Sequence, residues 1–243
     1  MKKVLISGNE ALAEGSVRAG CRCYFGYPIT PQSEIAAYMA KRMEEVGGVF
    51  LQAESEIAAI NMVYGASAAG VRCMTTSSGP GISLKQEGLS YLAGAQLPCL
   101  VANVMRGGPG LGNIAPSQSD YFQATKGGGH GDYHLIVLAP FSVQEMAEFP
   151  SLAFDLADKY RNPVMILADA ILGQMMEPVD FEKIPPPCFI PKPWAVTGVK
   201  GRAPNVIRSL FLKEGDLEQH NMLLQKKYSL IKKTETRFCV YGD

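Results

Sequence analysis

Along the first 170 residues, short continuous apolar runs alternate with segments whose apolar residues recur at helical spacing. The runs fall at 4–7, 22–26, 49–52, 72–76, 99–105, 135–138 and 164–168. They lack the in-out alternation of a half-exposed strand, which predicts a parallel sheet covered on both faces. Between them, 31–46 opens on Pro31, repeats Ile35, Met39 and Met43 one turn apart, and stops before Gly47-Gly48, as a helix should. The segment 55–69 starts with Ser55 and is rich in alanine, which allows another helix to approach closely. Helices are also expected over 82–95 and over 142–160, where Ser142 followed by Glu145 has the form of a capping box. Repeated βα units predict an α/β fold, a parallel sheet with helices on both faces.

After Asp169 the texture changes. Ile184-Pro185-Pro186-Pro187 with Pro191 and Pro193 reads as a stiff extended connector. A basic helical stretch over 216–233 follows, then a strand-like run over 237–241. The expected organisation is an α/β domain at 1–180 and a linker segment at 181–243 leading toward a further domain. Charge divides in the same place. The chain is neutral, with 23 basic and 23 acidic residues, but 1–180 carries a net of −5 and 181–243 a net of +5. A neutral chain gives no nucleic-acid or anionic-membrane footprint. Its first apolar run is too short for a signal peptide, and no stretch approaches the ~20 residues of a membrane span, so a cytoplasmic location is expected. Six scattered cysteines without a C-x-x-C pair, and three histidines without ligand spacing, suggest no metal or iron–sulfur site in this chain. The excess is in 25 glycines and 16 prolines, a sign of tight turns and backbone-lined loops.

In a parallel sheet, ligands bind beyond the carboxyl ends of the strands. The loops expected there are Tyr27-Pro28-Ile29-Thr30-Pro31, Glu54-Ser55-Glu56, Ser77-Ser78-Gly79-Pro80-Gly81 and Arg106-Gly107-Gly108-Pro109-Gly110. Each joins Gly, Pro or a hydroxyl to a charged or hydroxyl-bearing side chain. None is a dinucleotide or P-loop fingerprint: the spacing at 108–112 is wrong and no G-x-x-x-x-G-K-[ST] occurs. Ser78 is not read as a catalytic serine, because G-x-S-x-G is missing and no histidine pairs with it.

Taken in order, these four motifs resemble the α subunit of the 2-oxoacid:ferredoxin oxidoreductases. The segments 117–124 and 126–131 resemble most the 2-oxoisovalerate and 2-oxoglutarate members. The resemblance implies a thiamine-diphosphate enzyme and identifies 1–180 with its pyrimidine-binding domain. It implies that a β subunit holds the diphosphate and Mg²⁺, that iron–sulfur clusters sit in other subunits, and that the assembly is a dimer of hetero-oligomers. It further implies oxidative decarboxylation of a 2-oxoacid, the acyl group passing to CoA and electrons to ferredoxin. Gly131-Asp132 followed by Asn162 imitates the metal-binding motif of that family, but Tyr133 replaces its second glycine, and it is set aside as a decoy.

Thiamine chemistry explains the residue types. Activation of the cofactor needs a carboxylic acid bonded to the pyrimidine ring nitrogen, and a strand-to-helix junction beside an apolar slot suits one. Glu54 and Glu56 are the candidates, and the resemblance selects Glu56; the plainer alternative is a solvated first-turn glutamate. Arg106 is matched to binding of the substrate carboxylate, where a guanidinium fork forms two parallel hydrogen bonds; alternatively it anchors a loop through carbonyls. Thr30, held extended by Pro31, is matched to the reacting carbonyl, or else caps the following helix. Tyr27, Pro28, Ile29, Ser78, Gly79 and Pro80 are expected around the cofactor. Two other readings remain open at this level: a non-catalytic assembly subunit of such a complex, and a generic nucleotide-binding α/β protein.

Overall fold

The structure is a computed structural model that describes residues 3–238 and 242. It divides into two compact units, the larger ending at Ile207 and the smaller starting at Arg208.

The larger unit is built on six parallel strands in the order β3-β2-β4-β5-β7-β6. These are β2 (Cys23–Gly26), β3 (Val49–Gln52), β4 (Cys73–Ser77), β5 (Cys99–Met105), β6 (Ile136–Leu138) and β7 (Pro163–Asp169). All seven residues of β5 are buried, as expected of a run that faces a helix layer on each side. The edge strand β3 differs: Val49 and Leu51 are exposed. On one face lie α3 (Glu56–Ala68) and α4 (Pro80–Gly94), with a core including Ile60, Ile82, Leu89, Leu92, Val101 and Leu167. Elsewhere α1 (Gly8–Arg18) packs against both α2 (Ser33–Glu45) and α6 (Val143–Tyr160).

Several elements depart from the sequence reading. The run β1 (Val4–Ser7) is a strand but not part of the parallel sheet; it pairs antiparallel with β8 (Met176–Val179) in a separate two-stranded ribbon. Helix α1 has no legible apolar stripe, since its buried face includes Asn9, Glu14, Gly15 and Ser16. Gly15 is required there: a Cβ would lie 2.1 Å from the Ala147 carbonyl oxygen of α6. Short helices α5 (Tyr121–Lys126) and α7 (Ala170–Gln174) also escaped the periodicity. Helix α2 begins at Ser33 rather than Pro31, because Gln32 N–H bonds back to the Ile29 carbonyl and makes a turn first. At α6, Ser142 accepts from Glu145 N–H as a capping box requires, but the Glu145 carboxylate returns to Phe141 N–H rather than to the cap itself.

The segment expected as a connector lies along the larger unit. Val196 N–H bonds the Ala68 carbonyl, and Arg72 Nη2 donates to the Cys188 carbonyl at 2.7 Å. Arg72 is itself buried, bridging Asp155 at 2.7 Å and Asp158 at 2.9 Å. In the smaller unit, α8 (Asp216–Glu235) is the expected basic helix. The predicted strand at 237–241 falls largely outside the described residues. Among those described, no helix is long and apolar enough to cross a membrane.

Candidate functional site

The chain runs from β2 to β3 on one side of the sheet, then crosses back past β2 to β4. Connections therefore diverge between β2 and β4, which opens a crevice at the carboxyl ends of these strands. The four sequence motifs lie around that crevice, and the turn from β4 into α4 ties them together.

Glu56 is the first residue of α3 and is 6% exposed. Ser55 caps the helix, its Oγ accepting from Ala58 N–H at 3.2 Å, so the first turn that carries Glu56 is rigid. The carboxyl lies against the start of α4. A Cβ at Gly81 would stand 2.1 Å from Ser77 Oγ and 2.6 Å from Glu56 Oε1, so only glycine leaves room for both. Ser77 and Ser78 are fully buried, and neither hydroxyl has a hydrogen-bond partner. Buried hydroxyls are rarely left unpaired, and a water or a bound group ordinarily meets them. Glu56 is thus no solvated surface glutamate.

On the other side of the same turn, Gly79 caps α4 with φ at 41°, and Pro80 follows in the first helical position. The Arg106 side chain lies over Gly79, where a Cβ would come 3.5 Å from Arg106 Cγ. Arg106 is 7% exposed; Nη1 donates to the Thr30 carbonyl at 3.0 Å and Nη2 to the Leu111 carbonyl at 3.1 Å. It therefore clamps two loops by their carbonyls. Its Nε is buried and, among the described residues, has no acceptor, so that N–H is left for a ligand. Thr30 is exposed and, contrary to the capping alternative, does not cap α2, whose N-cap is Gln32.

Sequence reasoning missed what holds the Tyr27–Thr30 loop. Tyr24 Oη donates to Thr76 Oγ1 at 2.6 Å, Thr76 donates to Gln32 Oε1, and Gln32 Nε2 donates to the Tyr27 carbonyl at 3.2 Å. Tyr24, Thr76 and Gln32 are fully buried, and no spacing rule would have linked them. Tyr27 and Pro28 are exposed and Ile29 half-buried beside the crevice. Beyond Thr30 opens a cavity of about 580 Å³, whose lining includes Ile114, Pro116, Ile171 and Met175 together with the polar Glu34 and Gln174.

Lys85 was also missed. It is fully buried on α4, and its Nζ donates to the Glu56 main-chain carbonyl at 3.2 Å. Burial pulls its pKa from 10.5 down to about 8, against the pull of the Glu56 charge, which favours the ammonium. The signal was a lysine at one-turn spacing from Gly81 among Ile82, Leu89 and Leu92. Asn162 of the decoy motif sits before β7, at the opposite end of the sheet, with its amide donating to the His134 carbonyl at 3.0 Å.

A heteroaromatic ring with a polar edge would suit this end of the sheet: the Glu56 carboxyl and the Ser77 hydroxyl meet at Gly81, and the buried Ser78 precedes the Gly79 turn. The thiamine-diphosphate-binding family model of pyruvate flavodoxin/ferredoxin oxidoreductases matches residues 14–222. Ketoisovalerate oxidoreductase subunit VorB of Methanothermobacter marburgensis is 56% identical over 241 residues, 99% of this chain and 68% of that protein. The 2-oxoglutarate synthase subunit KorA of Methanocaldococcus jannaschii is 48% identical over 180 residues, 74% of this chain and 49% of that one. A solved 2-oxoglutarate:ferredoxin oxidoreductase from Magnetococcus marinus, with 2-oxoglutarate, coenzyme A and succinyl-CoA bound, is similar at TM-score 0.89 and 29% identity, over 100% of this chain and 48% of that chain. This chain thus spans about two thirds of the first relative and about half of the other two. The chain belongs to the thiamine-diphosphate-binding family of the pyruvate flavodoxin/ferredoxin oxidoreductases.

Proposed function

We propose that this chain is the α subunit of a 2-oxoacid:ferredoxin oxidoreductase and supplies the pyrimidine half of a thiamine-diphosphate site. The observation that carries the reading is the meeting of the buried Glu56 carboxyl with the unpartnered Ser77 hydroxyl at Gly81, on the same turn as the Gly79 that lies under Arg106. When bound, thiamine diphosphate supplies the carbon nucleophile and the electron sink for decarboxylating a 2-oxoacid. Glu56 holds a proton at the pyrimidine ring nitrogen. Ser77 and Ser78 offer hydroxyls to the ring edge, and Tyr27, Pro28 and Ile29 close the adjacent wall. The free Nε of Arg106 orients the substrate carboxylate, and the Thr30 hydroxyl stands beside the reacting carbonyl. The residues suit the ring rather than the diphosphate, so the diphosphate and Mg²⁺ fall to a β partner, and iron–sulfur clusters, ferredoxin and CoA to the rest of a hetero-oligomer.

A 2-oxoacid with a short apolar side chain is favoured over 2-oxoglutarate. The relative matching nearly the whole chain bears the ketoisovalerate name. The cavity beyond Thr30 is lined largely by apolar side chains and already has a carboxylate, Glu34, that opposes a second one. Free thiols at Cys21, Cys23, Cys73, Cys99 and Cys188 accord with a reducing, cytoplasmic setting.

The test is reconstitution with the partner subunits and dye reduction on 2-oxoisovalerate, 2-oxoglutarate and pyruvate. Turnover should require thiamine diphosphate, be fastest with 2-oxoisovalerate, and fall by about 10²-fold or more in Glu56→Ala. Undiminished turnover in Glu56→Ala refutes the assignment.

A further inference from the structure

We propose that Lys85 is a positioning residue for Glu56, its buried ammonium serving both as tether and as counter-charge to the carboxyl that meets the cofactor ring. The inference rests on the role given to Glu56 above and extends it to a residue outside the crevice.

Three positions of α4 at helical spacing, Gly81, Lys85 and Gly88, face α3. Gly81 abuts the Glu56 carboxyl, and Gly88 abuts Ile60, where a Cβ would lie 2.4 Å from Ile60 Cγ2. Both glycines remove side chains so that the two helices can touch. Between them stands Lys85, a long flexible cation with no exposed surface. An aliphatic residue would suit the neighbouring Ile82, Leu89 and Leu92 better, and a buried ammonium with a single acceptor among the described residues is an expensive choice. Its one acceptor is the main-chain oxygen of Glu56, so the tether runs to the residue whose side chain has to be placed.

Other charges near Lys85 are few. From α3 the group acting on it is Glu56. The strand that leads into α4, β4, carries the hydroxyls of Thr75, Thr76 and Ser77, which do not titrate in this range. On α4 itself Glu87 is exposed and takes a hydrogen bond from Tyr91. The loop after β5 brings Arg106 to Gly79 at the start of the helix, and its guanidinium stays charged. With its pKa at about 8, Lys85 is the group here that changes charge just above neutrality. As pH rises through that value Glu56 loses its counter-charge.

The experiment uses the reconstituted complex in native, Lys85→Met and Lys85→Arg forms. It follows kcat and KM from pH 6.5 to 9.5, and thiamine diphosphate affinity by calorimetry over the same range. In the native complex, kcat should fall as pH rises through about 8, with cofactor affinity weakening about fivefold. Lys85→Met should lower kcat at pH 7 about tenfold, leave KM for the 2-oxoacid within about twofold, and abolish both pH steps. Lys85→Arg, whose charge does not titrate, should keep kcat within about threefold of native and also lose the steps. A Lys85→Met complex with native kcat and a native pH profile overturns the proposal. Should neither variant assemble, a native affinity that is flat from pH 7 to 9.5 overturns it instead. A native complex without thiamine-dependent turnover points elsewhere: it refutes the proposed function rather than the part given to Lys85.

Discussion

Replacing Lys85 by methionine should make the protein more stable at neutral pH, and the gain should vanish in alkali. The folded chain releases the Lys85 proton near pH 8, whereas the model value for a free lysine is 10.5. Between these values the unfolded chain holds more protons, so this group makes stability rise with pH. Below pH 8 the lysine is charged in both states, and the folded state carries the full penalty of burial. A gap from 10.5 to about 8 corresponds to roughly 3 kcal/mol. Methionine has a similar length and no charge, and packs readily beside Leu89. It forfeits one hydrogen bond to the Glu56 carbonyl, worth about 1 kcal/mol net. Lys85→Met should therefore be about 2 kcal/mol more stable than native at pH 7, and lose that advantage by pH 10.5. Urea unfolding of both chains at pH 7, 8.5 and 10 measures it. Cys21 and Cys99, pushed up to about 12 by burial, lose their stabilising contribution as pH rises from 9 toward 12, but do so in both chains and cancel from the difference. A variant less stable than native at pH 7, or a difference independent of pH, would refute the reasoning.

Two further substitutions test the frame around the site. Gly81→Ala places a Cβ against Ser77 and Glu56, so it should weaken thiamine diphosphate binding at least tenfold while costing about 1–3 kcal/mol of stability; calorimetry beside thermal unfolding separates the two effects. Arg72→Met removes the cation between Asp155 and Asp158 at the far end of the sheet. Lys192, 2.6 Å from Asp158, still partners that carboxylate, so the loss should be about 3 kcal/mol, read as a lower urea midpoint with an unchanged cofactor affinity per folded molecule.

The sequence was most legible where burial is two-sided. Runs such as 99–105 are apolar throughout because helices cover both faces, and β5 begins and ends where the run does. Legibility failed where polar groups are buried with partners. In α1, Glu14 accepts from Arg18 and Arg42 at 2.8 Å each, and Asn9 donates to the Pro31 carbonyl at 2.8 Å. The bonds to Arg42 and Pro31 reach residues far along the chain, so the local pattern looks like a loop. The Val4–Ser7 strand shows a different limit: its composition fits either sheet, and only the position of Met176–Val179 decides. Around the site, the ordered motifs placed Glu56, Arg106 and the Ser78–Pro80 turn at one end of the sheet. They allowed that Arg106 anchors a loop through carbonyls but did not say which, Thr30 and Leu111, because carbonyl oxygens have no residue code.

The same distinction explains the design of the β4–α4 turn. Gly79, at a φ of 41°, lies under Arg106, and Gly81 accommodates Glu56, so one turn sets the distance between the group assigned to the substrate carboxylate and the group assigned to the cofactor ring. Its strand is fixed from behind by the Tyr24–Thr76–Gln32 relay, which fastens the Tyr27–Thr30 loop to β4 as well. Movement of either functional group then requires breaking a buried hydrogen bond or forcing atoms into a gap without space for a methyl group. Such a frame holds the carboxyl and the guanidinium in place before any ligand arrives, which lowers the ordering penalty on binding. It leaves Lys85 as the titrating element within the frame, since the relay is built from hydroxyls and an amide, and Arg106 keeps its charge across the working range. A pH response of this half-site should accordingly follow the α3–α4 contact rather than the crevice.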